Sequence, residues 1–332
     1  MLVRIKTFFK ENWKFLIFLL LFYLVMSYEL PYAIYAPGGA INMSERVKGD
    51  NLYSEEGSIS MTYVNMIKAT VPYYALSHVI ANWDLVPKNT VTYDNTSLKD
   101  TVEIDKIYMQ EAISNAQKVA YDNAGIKYTI KNSKNLVTYI STKSDTQLKY
   151  GDEILSIDDV KVNTLKDMQN YISTKNIDDK VTIKYLRDGK ENSNTVTLID
   201  LNGEPKVGIS IATVNEYSTN YNIEVKTKSS ESGPSGGLMT ALEIYNKITV
   251  EDITKGHKIM GTGTIELDGT VGEIGGVKYK LMGAVSKGAD IFICPYENYE
   301  EALKVKNEKG YDIKLISAKN FKDALEKLAS EY

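Results

Sequence analysis

"SESGPSGGLMTAL", residues 230–242, sets Ser235 between Gly233-Pro234 and Gly236-Gly237, directly ahead of a helical pattern. Two readings compete for it. Gly, Pro and Ser together are ordinary turn chemistry, and serine is a favoured helix N-cap. A serine at a helix start also lies beside backbone N–H groups, here its own and that of Gly233, that can stabilise developing negative charge. Pro234 has no N–H to contribute. Behind the turn, Leu238, Ala241, Leu242 and Tyr245 recur at i, i+3, i+4 and i+7, one face of an amphipathic helix. The segment alone does not choose between a cap and a nucleophile.

The chain of 332 residues suits two or three domains, and 43% hydrophobic with 25% charged residues is ordinary globular composition. A formal net charge of −4 supplies no broad basic field, so nucleic acid is not expected as a partner. Cys294 is the single cysteine, which excludes an intrachain disulfide and a thiolate zinc cluster, and no cofactor or metal is expected. The two histidines, His78 and His257, are far apart in sequence.

The N-terminus reads differently from the rest. Arg4, Lys6, Lys10 and Lys14 precede a run that is apolar from Phe15 to Met26, with Trp13, Tyr28 and Tyr32 placed as interfacial aromatics. No small-x-small cleavage site follows. The expectation is an uncleaved transmembrane anchor over residues 13–30, with residues 1–12 cytoplasmic and everything after Pro31 outside the membrane. The chain is then a single-pass protein of the cell membrane with an extracellular catalytic domain. Residues 31–124 read as a linker and an N-terminal α/β region. Within it, "GSISMTYVNM" alternates like a strand, Thr70–Asp84 reads as a helix with His78 packed among apolar neighbours, and a second helix covers about 105–123. That helix turns Ile107, Ala112, Ala116, Val119 and Ala120 inward and ends at Gly125.

Residues 125–206 carry a strand, "GDEILSIDDVKV", a helix at about 165–174 and a hairpin whose Asp188-Gly189 turn is a type I′ signal. The string from Leu148 to Asp158, L-x-x-G-D-x-I-L-x-I-D, resembles a PDZ domain. The resemblance implies a groove that accepts an extended peptide as an added strand. No clear carboxylate-binding loop is evident, and "STKSDTQ" is polar where such modules often carry Ser-Pro-Ala.

Strand patterns at 207–214 and 221–227 lead into the serine turn. After its helix come "GTGTIELDGTVGEIGGVKYKLMGA" at 261–284, the strand "DIFICP", a helix at 299–307, the strand "DIKLIS" and a helix from Ala318. With "GPSGGLMTAL" these strings resemble the proteolytic domain of the Lon family, in its order and nearly its spacing, over residues 207–332. The whole chain resembles the membrane-anchored PDZ–Lon-like serine proteases of Gram-positive bacteria. The implied fold class is α+β multidomain: an N-terminal transmembrane helix, a PDZ-like domain and a C-terminal α/β proteolytic domain. The resemblance implies Ser235 as nucleophile, Lys280 as the catalytic lysine and Thr262 as its support, with peptides or proteins as substrates. Because Lon-type domains often form rings, it also admits a homo-oligomer. The family's acidic residue three before the serine is Ser232 here, with Glu231 one step earlier. No G-x-x-x-x-G-K-[ST] loop occurs in the chain, so ATP hydrolysis by it is not expected.

The chemistry makes its own demands. A serine needs a base, and a lysine serves only when neutral, so its pKa must fall through desolvation. Val277, Leu281, Ala284 and Val285 form a stripe that can dry an amine, but Lys278 and Lys280 flank it about equally, and only the resemblance favours Lys280. Gly236-Gly237 and Gly275-Gly276 are expected to permit close backbone approach to substrate and to each other. Two other readings fit the letters. Gly233-Pro234-Ser235-Gly236-Gly237 also matches G-x-S-x-G, with Asp252 and His257 following in α/β-hydrolase order. A membrane-anchored peptide-binding module without catalysis is the third.

Overall fold

A computed structural model describes residues 2–93 and 96–330 of the protein. Met1 and Tyr332, the ends of the terminal assignments, and the side chain of Arg4 lie outside the described residues. The first element is a 26-residue helix, α1 (Leu2–Ser27). The transmembrane anchor expected over 13–30 is corrected here: among the described residues no helix is long and apolar enough to cross a membrane. The reason is length. The apolar run Phe15–Met26 rises about 18 Å against a hydrocarbon core of about 30 Å, and the turns before it carry Lys6, Lys10, Glu11 and Lys14.

The chain continues through β1 (Glu29–Asn42), β2 (Val47–Lys48), β3 (Ser58–Thr70), α2 (Val71–Ser77), β4 (Asp84–Pro87) and α3 (Leu98–Ala124). The helix expected from Thr70 to Asp84 is confined to α2, because β3 runs as far as Thr70 and Asn82 takes φ 64 in the turn before β4. His78, expected to be packed, is exposed; its ring lies 4.9 Å from that of Tyr74, and Nδ1 is 2.9 Å from the Tyr74 carbonyl. α3 starts earlier than the periodicity suggests, since Ser97 and Asp100 form a capping box. Its five expected inward residues are all buried, and Gly125 ends it at φ 67.

Next come β5 (Thr129–Ile140), β6 (Glu153–Ile157), β7 (Val160–Lys161), α4 (Leu165–Ile172), β8 (Lys180–Arg187), β9 (Lys190–Thr197), β10 (Ile199–Leu201), β11 (Glu204–Lys206) and β12 (Ile209–Ser218). β12-β5-β6-β8-β9 form an antiparallel sheet, with β7 beside β6, and α4 covers a core that includes Val137, Ile154, Ile157, Ile183 and Val196. Asp188 and Gly189 both have positive φ, as the type I′ turn requires. β12 closes this sheet against β5, whereas the sequence reading starts the next domain at 207. The outer edge of β12 is docked on α3: Thr213 N–H donates to Glu111 Oε1 (3.1 Å) and Asn215 N–H to Ser114 Oγ (3.0 Å).

The last part holds β13 (Glu224–Val225), α5 (Gly237–Ile248), β14 (Lys258–Gly261), α6 (Val277–Ser286), β15 (Ile291–Pro295), α7 (Tyr299–Lys309), β16 (Lys314–Ala318) and α8 (Phe321–Ser330). Its strands do not make a sheet by themselves. The order is β16-β15-β14-β3-β1-β4, with β14 parallel to β3 from Lys258↔Ser58 to Gly261↔Met61. Residues 29–87, set apart by the sequence reading, thus supply β1, β3 and β4, half of the six-stranded sheet beneath the serine turn. α3 packs on α5 and contributes Val119, Ala120 and Tyr121 to the core shared with Leu238, Leu242 and Ile259. One unit is built from both flanks of the chain, and the β5–β12 sheet is inserted between them.

Candidate active site

Ser235 lies in a single 3-10 turn, Pro234–Gly236, that runs into α5. Gly233 enters the turn at φ 95, a conformation that favours glycine. The Gly233 N–H, expected to face developing charge, instead donates to the Asp105 carbonyl of α3 at 2.9 Å. The donors left at the start of the turn are the N–H groups of Ser235 and Gly236, which have no intrahelical acceptor there. Among the described residues the Ser235 hydroxyl makes no hydrogen bond to the protein. The serine backbone, by contrast, is held twice: its carbonyl accepts from Gly263 N–H at 2.7 Å and from Thr262 Oγ1 at 2.9 Å.

Thr262 is fully buried. Its hydroxyl donates to Ser235 and accepts from Lys280 Nζ at 3.0 Å, so the candidate base and the candidate nucleophile share one bridging group. Lys280 is 4% exposed, among Val277, Leu281 and Ala284 on α6, and has no carboxylate partner among the described residues. Burial pushes its ammonium down to about 7, where an appreciable neutral fraction exists near neutral pH. Lys278, which helical angles leave equivalent, is elsewhere: its Nζ pairs with Asp84 at 2.6 Å, beside a Tyr279 hydroxyl bound to the same carboxylate. Among the described residues Lys280 Nζ makes no direct hydrogen bond to the Ser235 hydroxyl; the two meet through Thr262.

The α/β-hydrolase arrangement is not assembled. His257 precedes β14 and lies 3.8 Å from Asp290, whereas Thr262, which touches Ser235, follows the strand's other end. Asp252 accepts from Thr254 and from Glu56 N–H. Among the described residues no cluster of His, Cys, Asp or Glu is arranged to hold a metal.

Ser235 opens on a cleft of about 630 Å³ bounded by β3 from Met61 to Met66, by α3 at Met109, Ala112 and Ile113, and by the strap 225–234. A Cβ on Gly236 would come within 2.6 Å of Met61 Sδ, and one on Gly237 within 2.7 Å of Ile265 Cγ2. These two glycines therefore admit β3 and the loop after β14. Gly275 has open space, whereas Gly276 takes φ 70 and a Cβ there would come within 3.0 Å of Val64 Cγ2, so the second pair meets β3 rather than the first pair. Glu231 does not reach the serine: it forms an ion pair with Arg46 and accepts from Lys228 N–H (2.8 Å), pinning the strap to the β2 side. Sequence reasoning missed Met61, Asp105 and Arg46, because each reaches the site from a distant part of the chain.

A second groove, of about 470 Å³, lies between α4 (Leu165, Met168, Ile172) and the start of β12 (Gly208–Ser210). Thr213 and Asn215 show which N–H groups of β12 point outward, and by the two-residue alternation Ile211 belongs to the same set. Upstream of the α3 contact that edge has no strand partner among the described residues. The sequence reading places a strand at 207–214 but assigns it to the next domain, whereas β12 pairs with β5 and lines this groove.

Residues 124–198 match the PDZ domain family, and residues 213–331 match the Lon protease (S16) C-terminal proteolytic domain. Among curated proteins, Lon protease 2 of Bacillus subtilis is 35% identical over 96 residues, 29% of this chain and 16% of that protein. Lon protease of Mycoplasma mobile is 25% identical over 240 residues, 70% of this chain and 26% of that protein. The chain thus spans about a quarter or less of the length of these relatives. Among solved structures, the PDZ domain of the SdrC-like protein from Listeria monocytogenes is 26% identical, covering 26% of this chain and 93% of that one, with a TM-score of 0.22. The chain is mixed α/β with PDZ and Lon-type proteolytic regions, and the match over 213–331 supports a serine peptidase.

Proposed function

We propose that the protein is a serine endopeptidase in which Ser235 is the nucleophile and Lys280 the general base, acting on peptides or proteins without hydrolysing ATP. The observation that carries this reading is Lys280, a buried amine without a counter-ion among the described residues, joined to the Ser235 backbone through Thr262. Neutral Lys280 takes the proton of Ser235 as Oγ attacks the scissile carbonyl, and the oxyanion meets the N–H groups at the head of the turn. Lys280 returns the proton to the leaving amine. A water deprotonated by Lys280 then cleaves the acyl-enzyme. No G-x-x-x-x-G-K-[ST] loop occurs among these residues, so the proposal assigns them no ATP hydrolysis.

The groove between α4 and β12 has the form for strand addition, with apolar pockets from α4 beside an open backbone edge, and is proposed to hold part of the substrate. Action outside the cytoplasm is a separate proposal, resting on the basic residues ahead of the apolar run and on the single cysteine. A reporter that works only outside the cell, fused after Tyr332, tests it; activity of a cytoplasm-only reporter there would overturn it.

The decisive experiment compares cleavage of labelled casein by the wild type, Ser235→Ala, Lys280→Ala and Lys278→Ala, with a peptide boronate as a serine-directed probe. The expected result is loss in the first two variants and retention in the third. Undiminished cleavage in Ser235→Ala or Lys280→Ala sinks the dyad. A wild type that neither cleaves nor binds the boronate is a binding module.

A further inference from the structure

Thr262 has one hydroxyl, and it is engaged in both directions: it donates its proton to the Ser235 carbonyl and accepts from Lys280. The distance between nucleophile and base therefore depends on where the Thr262 backbone sits. On one side it is fixed by the sheet, since Thr262 N–H donates to Ile293 O at 3.0 Å and extends the β14–β15 pairing by one residue. On the other side the ladder stops. The pairing of β14 with β3 ends at Gly261↔Met61, and β3 continues along the cleft paired with β1 on its other side. At that point Thr62, 3% exposed, donates its hydroxyl to the Gly261 carbonyl at 3.0 Å. A side chain thus supplies a cross-strand bond next to the peptide unit that carries Thr262.

Gly261 makes this contact consequential. A Cβ there would lie 2.5 Å from Ile293 O and 2.7 Å from Met239 Sδ, so the strand is clasped closely by β15 and α5 and is held on the β3 side by Thr62. We infer that Thr62 is a positioning residue for the proposed dyad: its hydrogen bond to Gly261 sets the register in which Thr262 links Lys280 to Ser235. The inference rests on the serine–lysine reading above and adds a residue about 170 positions upstream of the nucleophile. Valine preserves the shape of Thr62 and removes only the donor, leaving the buried Gly261 carbonyl without that partner. Thr262 then drifts, and the dry pocket around Lys280 admits water.

The test uses the full chain and labelled casein. Thr62→Val should lower kcat about tenfold, the rate equivalent of one lost hydrogen bond of the usual size, with KM changed less than about twofold. The acid-side midpoint of kcat/KM should move upward from about 7, because a wetter Lys280 is more basic. Thr62→Ser should recover most of the rate and the midpoint. Thr62→Val combined with Thr262→Val should be no slower than Thr262→Val alone, because both act on one link. Full rate with an unmoved midpoint in Thr62→Val overturns the inference, as does additivity in the double variant or an equally slow Thr62→Ser. A Thr62→Val chain that does not fold reduces Thr62 to a structural role and overturns it too. A wild type without cleavage or boronate binding defeats the serine–lysine reading, and this inference with it; an active wild type beside an unaffected Thr62→Val defeats this inference alone.

Discussion

Two buried ionisable groups lie along helix α5, Lys280 of α6 beyond its N-terminal end and its own Glu243, and the two are treated oppositely. At the N-terminal end, Lys280 reaches the serine turn through Thr262, and burial alone lowers its pKa to about 7. Toward the C-terminal end, Glu243 is fully buried and pushed up to about 8, first by burial and then by the charge of Glu55. Lys247 lies 3.9 Å from Glu243 and 3.4 Å from Glu55, one cation for two carboxylates. Neither Glu243 oxygen has a hydrogen-bond partner among the described residues. Burial drives both groups toward neutrality, but only the lysine lies beside a cleft where a proton has somewhere to go. A shifted pKa marks chemistry when a nucleophile and an open volume adjoin it, and otherwise marks a cost in stability.

The largest effect that tests this contrast is catalytic. Lys280→Met should lower the cleavage rate by at least roughly 10³-fold, near the upper part of what a positioned base supplies, whereas Glu243→Gln should leave kcat nearly unchanged. Matching losses in the two variants would erase the distinction between the two groups. Wild-type activity should rise with pH through about 7 as Lys280 loses its proton, with the same limb in His257→Ala. A limb that vanishes with His257 transfers the role of base.

Stability sharpens the comparison, because the pH windows differ. The folded pKa of Lys280 is below its unfolded value of 10.5, so burying it costs stability as pH falls from 10.5 to about 7, and the cost levels off below that. Lys280→Met should therefore melt higher than the wild type at neutral pH and converge with it above pH 10.5. For Glu243 the folded value is above the unfolded 4.5, so the folded chain keeps a proton that the unfolded chain releases. Stability is lost as pH rises from 4.5 to about 8, and Glu243→Gln should flatten that slope, with its advantage largest above 8. Each 1 kcal/mol appears as about 2–4 °C in melting temperature for a unit of this size. Melts that show no pH-dependent difference between either variant and the wild type would contradict the assigned shifts.

The smallest expected effect concerns the other lysine of α6. Lys278 is about one-third exposed and paired with an exposed Asp84, so Lys278→Ala should change stability by less than about 1 kcal/mol and leave the pH limb in place. A large loss of activity there would mean that the Asp84–Tyr279–Lys278 cluster reaches the chemistry.

Local signals carried far in this sequence. The amphipathic pattern behind Ser235 became α5, the Asp188-Gly189 turn became the β8–β9 hairpin, and the inward face of α3 was legible from Ile107 to Ala120, because side-chain period and turn conformation are set by neighbouring residues. The same local logic overreached at the N-terminus, where an apolar run of insufficient length looked like an anchor. It also stopped β3 and β12 at false boundaries, since a strand's partner is not written in the strand.

By itself the sequence determined the serine turn, the apolar stripe on α6 and the helices that frame them, all of which depend on spacing within about a dozen residues. Only the tertiary structure decided which lysine is dry, because Lys278 and Lys280 differ in what packs over them from β4 and the end of β14. It alone brought β3 under the serine, turned Gly233 N–H toward Asp105, and set Thr62 against Gly261. Those contacts join residues more than a hundred positions apart. Their energies come from burial and from hydrogen bonds completed across the fold, and no local pattern encodes either one.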